Sequence, residues 1–546
     1  MRSSDVVFVG SGINSLVGGA LLAKAGRRVL VLERNDYIGG AIKTAELTRS
    51  GFLHEVFSSW HPLFVGSPAY AELADDLHAR GLEYLNTDTP TASLYPDGSS
   101  AFLTTSHEQN VAGFDEHAAG DGEAWARAVA EFMPNADLSF GVLGAELWSR
   151  DGLGLALKAY RRLGRKGFLE FTGEMLASCR DWATATFASD RVRGLFAPWV
   201  LHTGLGPDAA ASGFMAQVIA VAIEMGGMPV PRGGGVVLVD ALAGMINDAG
   251  GTCETGCDVE RVVVENGQAR GVRVAGGETI AAGTVIANVT PTQLYGYLLA
   301  DAAVPSEAAA AAERFRYGRA EMQIHMALSD PPRWSGDARL GRTAIVHVTS
   351  GLDGVSRAVN EADRGLLPAE ATIVCGQPTA LDPSRAPDGA AILWIQLQEL
   401  PTVVRGDAAG ELDPGDGSWT EELRERYADR IQARLASHIE NLGSALLDRV
   451  VLSPADIETA NVNLVGGDIY SGSCALDQNL IWRPRPGLPG HRTPVAGLYH
   501  IGASTHPGPG LGAGSGTLVA HELLRPSLPE RARGRLQSLW NRKEDG

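Results

Sequence analysis

Gly10-Ser11-Gly12-Ile13-Asn14-Ser15 stands between an apolar run, Asp5-Val6-Val7-Phe8-Val9, and a segment in which Leu16, Ala20, Leu21 and Ala23 recur at helical spacing. A turn of this kind takes phosphate. Gly10 makes the tight bend, Gly12 lets a pyrophosphate approach the backbone, and the helix start at Ile13 and Asn14 offers unpaired N–H groups and a partial positive charge. Ser15 occupies the third glycine position of the fingerprint and brings a CH₂OH group to a close helix–strand contact. Glu33, 21 positions after Gly12, closes a second apolar run, Val29-Leu30-Val31-Leu32. Its carboxylate can accept from ribose hydroxyls and would repel a 2′-phosphate. Arg34 follows, and Gly39-Gly40-Ala41 forms a second backbone-only stretch that can run beside the rest of a long dinucleotide. These residues alone fit NAD and FAD equally, because both present the same ADP half.

The positioning elements are a strand, a helix ending at Gly26 and a second strand, a βαβ unit of about thirty residues. Two further segments have the same grammar. Pro229-Val230-Pro231-Arg232-Gly233-Gly234-Gly235 precedes a helix with Leu238, Leu242, Met245 and Ile246, then a three-strand meander near 258–264, 271–274 and 284–288. Toward the end, a strand terminating at Gly502 leads through Ala503-Ser504-Thr505-His506-Pro507-Gly508-Pro509-Gly510-Leu511-Gly512 into a helix from Thr517 to Leu524.

Together these segments resemble the flavoprotein signature of the glutathione-reductase-like amine oxidase and phytoene dehydrogenase-related families, which hold FAD. The resemblance covers the two ends and 229–290, and is loose over 71–228 and 300–454. It implies an α/β fold in which a Rossmann-type FAD-binding domain (1–70, 229–300 and 455–525) is interleaved with an α+β substrate-binding domain (71–228 and 301–454). A C-terminal tail (526–546) follows. It also implies that Val259 meets the adenine through its backbone, and that Gly502, Ala503, Gly510, Leu511 and Gly512 close on the flavin. The helix N-terminus there would stabilise negative charge on the reduced ring.

Dehydrogenation onto flavin N5 also needs somewhere for a proton to go. His54, His61 and His506 lie beside the flavin segments, and His61 and His506 are the candidate catalytic residues, with Trp60 a wall of the substrate pocket. His506 has a competing reading as a loop-ordering hydrogen bonder. Apolar residues from Leu423 to Leu442 predict a helix over 420–442. The basic run Lys158 to Lys166 reads as a solvated helix face, with peripheral membrane contact the less favoured alternative.

The net charge, 46 basic against 64 acidic residues or −18, argues against a nucleic-acid partner. Phe214 to Ile223 is too short to cross a bilayer, and the N-terminus has no signal-peptide pattern. Five scattered cysteines form no Cys-x-x-Cys pair and no metal set, which favours a reduced, cytoplasmic setting. With one dinucleotide fingerprint and no redox pair, a pyridine-nucleotide disulfide reductase is disfavoured. The expectation is therefore an FAD-dependent oxidoreductase that moves a hydride from an apolar or mid-sized organic substrate to the flavin, with its electron acceptor unidentified. A flavin-dependent isomerase, an amine oxidase on the same fold and a non-enzymatic flavin-bound partner protein are the competing readings.

Overall fold

The computed structural model describes residues 2–484 and 490–525, so the expected tail 526–546 lies outside the described residues. Two sheets organise the chain. In the first, the strand Ser3–Val9 runs parallel to Val29–Leu32 on one side and to Thr279–Asn288 on the other. Thr252–Glu254 extends one edge, while Leu498–Ile501 pairs in parallel with the end of Thr279–Asn288. The antiparallel meander Val259–Glu265, Gln268–Val274 completes it.

Alternation along Ser3–Val9 sends Val6 and Phe8 into a core with Leu16, Val17 and Ala20 of the helix Ile13–Lys24. Val7 and Val9 enter a second core with Leu30, Val285 and Ala287. A parallel sheet covered on both faces accounts for these unbroken apolar strands. The helix Gly514–Leu524 crosses Ile13–Lys24 so closely that a Cβ at Gly516 would lie 1.9 Å from the Asn14 carbonyl oxygen, and one at Gly18 would lie 3.1 Å from that of Gly516. The tight helix contact therefore sits at Gly18 and Gly516, not at Ser15.

The second sheet runs in the order Leu446–Leu452, Ala320–Leu328, Ala391–Leu400, Ile373–Gly376, Ile345–Val348, Thr91–Leu94, Ser100–Leu103. Met322, Ile324, Met326, Leu393, Ile395 and Leu397 point to one side, where the helix Glu421–Ala436 packs through Leu423, Tyr427, Ile431 and Leu435. That helix ends earlier than the 420–442 expected from its spacing. Backbone bonds Ser335 N–H to His438 O and Glu440 N–H to Arg333 O draw the chain out of helical register, while Ile439 and Leu442 stay in the core. The other side of the sheet faces helices such as Asp190–Leu201 and Ser212–Gly226.

Segment boundaries differ from expectation in two places. Residue 70 falls inside the helix Pro68–His78, whose Leu73 and Leu77 join the first sheet's core, so this helix stays with the dinucleotide unit. Ala308 and Ala312 of the helix Ser306–Glu313 likewise pack on the meander side of that sheet.

A fully buried ionic clasp joins the strand His54–Glu55 to the turn at 382–385. Arg385 donates to Glu55 Oε1 (3.0 Å), Asp382 Oδ2 (3.1 Å) and the Pro231 carbonyl (2.5 Å). Glu55 also accepts from Gly235 N–H (2.8 Å), and Asp382 accepts from Gly233 N–H (2.7 Å). The glycine-rich turn 233–235 is thereby held from both sides.

Candidate functional site

A cavity of about 1500 Å³ opens along the end of the first sheet and continues beneath the second. Single-ligand pockets are usually ~300–1,000 Å³, so this one has room for a dinucleotide and a further molecule. Gly10, Gly12, Ile13, Asn14, Glu33, Arg34, Gly39, Gly40, Ala41, Val259, Gly502, Ala503, Gly510, Leu511 and Gly512 all line it.

Local physics explains the cradle at one end. Gly40 has φ +62°, and a Cβ there would sit 2.9 Å from Gly12 Cα. Backbone at both positions can therefore approach a ligand only because neither residue has a side chain. Glu33, 6% exposed, accepts from Ser11 N–H (2.9 Å) and Ser11 Oγ–H (2.7 Å) through one oxygen and from Asn35 N–H (2.9 Å) through the other. Ser11 Oγ in turn accepts from Gly39 N–H (3.0 Å), so one carboxylate organises both glycine turns. The Asn14 side chain reaches across to the last helix, accepting from Ser515 Oγ–H (2.8 Å) and Gly516 N–H (3.1 Å). Ser15 departs from its expected place: it does not line the cavity, and its hydroxyl accepts from Asn288 Nδ2 (3.0 Å) behind the turn.

The closing segment is fixed by Arg483, 1% exposed, which donates to the carbonyls of Ala503 and Tyr470. Beyond it the cavity turns apolar, walled by Trp60, Phe214, Met215, Val218, Ile219 and Trp394, with Phe140, Leu63 and Met225 partly exposed at its rim. Trp60 meets Trp394 edge-to-face at 5.4 Å, and its ring lies where a Cβ on Gly376 would be.

The candidate bases are elsewhere. Pro507 lines the cavity, but the preceding His506 turns away from it. Its carbonyl accepts from His491 Nε2 (2.8 Å), neither ring nitrogen has a partner, and burial pushes its pKa down to about 4. His61 also stands behind the wall, bonded through Nδ1 to the Tyr84 hydroxyl (3.0 Å) and pushed down to about 3 by burial and then by Arg385. His54 bonds Thr48 through Nε2 and packs against His325, again outside the lining. Neighbours in sequence alternate direction, so proximity of a histidine to a flavin segment does not aim its ring.

The polar groups that do face the chamber come from strands with no recognisable motif. Glu321 lines it from Ala320–Leu328, and Gln396 and Gln398 from Ala391–Leu400. Gln323 and Gln396 donate to the two oxygens of Glu321 (2.5 and 2.7 Å). Burial drives this carboxyl up to about 8, against the lowering effect of the two amides. Gln398 donates to the Tyr470 hydroxyl (2.9 Å), which donates to the Leu201 carbonyl (2.5 Å). His202 lines the same wall, 3.1 Å from His347 between Nε2 atoms, and burial pushes it down to about 3. The signal available in sequence was a polar residue at every second position of two otherwise apolar strands, Glu-Met-Gln-Ile-His and Trp-Ile-Gln-Leu-Gln.

Residues 16–450 match the profile of the flavin-containing amine oxidoreductases. The chain belongs to that family. It is 26% identical over 529 residues to one of the limonene dehydrogenase subunits of Castellaniella defragrans, covering 93% of this chain and 92% of the relative. It is 25% identical over 522 residues to a lycopene-forming phytoene desaturase of Pseudescherichia vulneris, covering 92% and 95%. An oxidoreductase from Methanosarcina mazei superposes with a TM-score of 0.60 at 16% identity, covering 95% of this chain and 99% of the other, a likeness of fold. The cofactor of this FAD-dependent oxidoreductase is FAD, and the cradle suits it: two side-chain-free turns for the pyrophosphate, an acidic residue at the ribose position and a long cavity beyond. Among the described residues no group of three His, Cys, Asp or Glu side chains could hold a metal ion. No described helix is long and apolar enough to cross a membrane. The basic run forms part of Arg150–Leu176, which is interrupted at Gly164; Lys158 and Arg162 pair with Asp137, and Leu153 and Leu169 are 71% and 61% exposed on the same element.

Proposed function

We propose that this protein dehydrogenates an apolar or mid-sized organic molecule bound in the aromatic and aliphatic chamber. The observation that carries this reading is the continuity of one cavity, from the glycine turns at Gly10–Gly12 and Gly39–Gly40 to the walls formed by Trp60, Trp394, Phe214 and Val218. When bound, FAD supplies the hydride acceptor. The chain's residues orient the substrate and keep water out. Edge-to-face packing of Trp60 on Trp394 stiffens one wall, and the apolar residues of Ser212–Gly226 form the opposite one.

Among the described buried groups of the chamber, none is held as a strong base. Glu321 is kept neutral by burial, His202 is pushed down to about 3, and the Tyr470 phenol is raised by burial. This suits removal of hydride from carbon next to an unsaturated or heteroatom centre, which stabilises the positive charge left behind, so that the accompanying proton can leave from the neighbouring atom without a strong base. Limonene dehydrogenase and phytoene desaturase, by their names, also act on apolar molecules. The five free cysteines support a cytoplasmic setting.

Anaerobic titration of the yellow holoenzyme with polyenes, alicyclic metabolites and amines tests the proposal. Bleaching of the flavin by an uncharged apolar compound is expected. Bleaching by amines alone, with stoichiometric hydrogen peroxide in air, would make it an amine oxidase. Product formation without bleaching would make it an isomerase.

A further inference from the structure

An apolar chamber has no need of the wall formed by Glu321, Gln396 and Gln398. All three are at least 94% buried and sit on two adjacent strands whose opposite faces are core. Burying polar groups without partners costs free energy, so such groups persist where something satisfies them. Part of the set is satisfied internally, by the Gln323–Glu321–Gln396 and Gln398–Tyr470 bonds. Part is not: Gln398 Oε1 and the Trp199 indole N–H are buried without a partner, and both residues line the cavity. The wall thus places amide and carboxyl side chains on a cavity whose opposite walls are largely aromatic and aliphatic.

We propose that this wall is a recognition site for an uncharged oxygen function, a hydroxyl or carbonyl, carried on an otherwise apolar substrate, with the Glu321 carboxyl acting as a hydrogen-bond donor. This deepens the proposed dehydrogenase reading and rests on it. A pure hydrocarbon would gain nothing from these polar side chains and would leave Gln398 Oε1 without a partner. An ammonium would need a carboxylate, and Glu321 is held in its neutral form, pushed up to about 8. Of the groups near it, Asp468 adds to the upward push of burial, and Gln396 and Gln323 oppose it. Tyr470 and Asp468 approach from the C-terminal segment, the phenol raised by burial and Asp468 tied to the N–H groups of Gly318, Tyr470 and Gly472. His202, from the end of the helix Asp190–Leu201, stays neutral at about 3.

The test is binding of cyclooctanone, cyclooctylamine and cyclooctane to the oxidised holoenzyme, read by calorimetry and by the shift of the flavin spectrum, between about pH 6.5 and 9. The ketone should bind about tenfold or more tightly than the other two, the usual worth of one good hydrogen bond in a dry site. Its affinity should fall as pH rises through about 8, because the donor proton is lost. Glu321→Gln, which keeps a donor and the shape, should bind the ketone with no such pH dependence; Glu321→Leu should bind ketone and alkane alike. Equal binding of ketone and alkane by the unmodified protein overturns the anchor alone. Amine binding that strengthens with pH through that range overturns it in favour of a cation site. Failure of all three ligands to bind overturns the apolar-chamber reading as well. Retained FAD in Glu321→Gln shows that the fold is intact.

Discussion

Replacing Arg385 with methionine should cost about 3–5 kcal/mol of unfolding free energy at neutral pH, the range for breaking a buried ion pair by removing one partner. The geometry explains why the loss is so large for one side chain. Arg385 is wholly buried and donates to Glu55, Asp382 and the Pro231 carbonyl, so its removal leaves two carboxylates facing each other in a dry site. Methionine keeps most of the aliphatic stem, which separates the electrostatic loss from a packing loss. Glu55 keeps Gly235 N–H and Asp382 keeps Gly233 N–H, which holds the effect to the lower half of the range. Burial already holds the Glu55 carboxyl above its ordinary range with the guanidinium in place, and removing Arg385 takes a lowering influence away from both acids. The penalty is then fully present at pH 7 and fades as pH falls through ~4, vanishing only below the unfolded-state range of Asp and Glu. The assay is urea unfolding of holoenzyme at about pH 7 and pH 5, for Arg385→Met alone and combined with Glu55→Gln and Asp382→Asn. The triple variant should recover more than half of the loss, since replacing a whole buried ion cluster is often neutral. A cost below about 1 kcal/mol for the single variant, or a triple variant no more stable than the single, would refute the reasoning.

Gly12→Val should abolish FAD retention, because even its Cβ would lie 3.0 Å from Asn288 Nδ2 and the rest of the side chain would fill the pyrophosphate space; flavin content after gel filtration checks this. Glu33→Ala should weaken FAD by roughly 1.5–3 kcal/mol or more, since it removes a charged hydrogen-bond acceptor and releases Ser11 as well; fluorescence titration of apoprotein measures it. His506→Ala should slow substrate-driven flavin reduction by less than about tenfold, short of the ~10²–10⁴ expected of a general base, because its ring does not line the cavity. Stopped-flow reduction of the FAD-saturated variant decides that point.

The glycine turns and the acidic residue at one end of the cavity were legible in the amino-acid sequence. A turn that needs positive φ at Gly10 and Gly40, an acidic residue at the end of the following strand and a glycine-rich segment before the last helix are local requirements, met by residue type and spacing within short stretches. The remote partnerships were not legible there. Glu321 is a recognition candidate only because Gln396, 75 positions away, lies beside it on the neighbouring strand, and because the antiparallel register places both on the cavity face. Glu55, 330 positions from Arg385, likewise joins it and Asp382 in one clasp only through the tertiary fold. His506 shows the complementary limit: its position in the chain puts it beside the cavity, but whether a side chain points into a cavity or behind its wall depends on backbone direction within a packed loop. Spacing along one segment specifies turns, periods and ligand-facing backbone, whereas the direction and protonation of a buried side chain depend on what the rest of the fold packs around it.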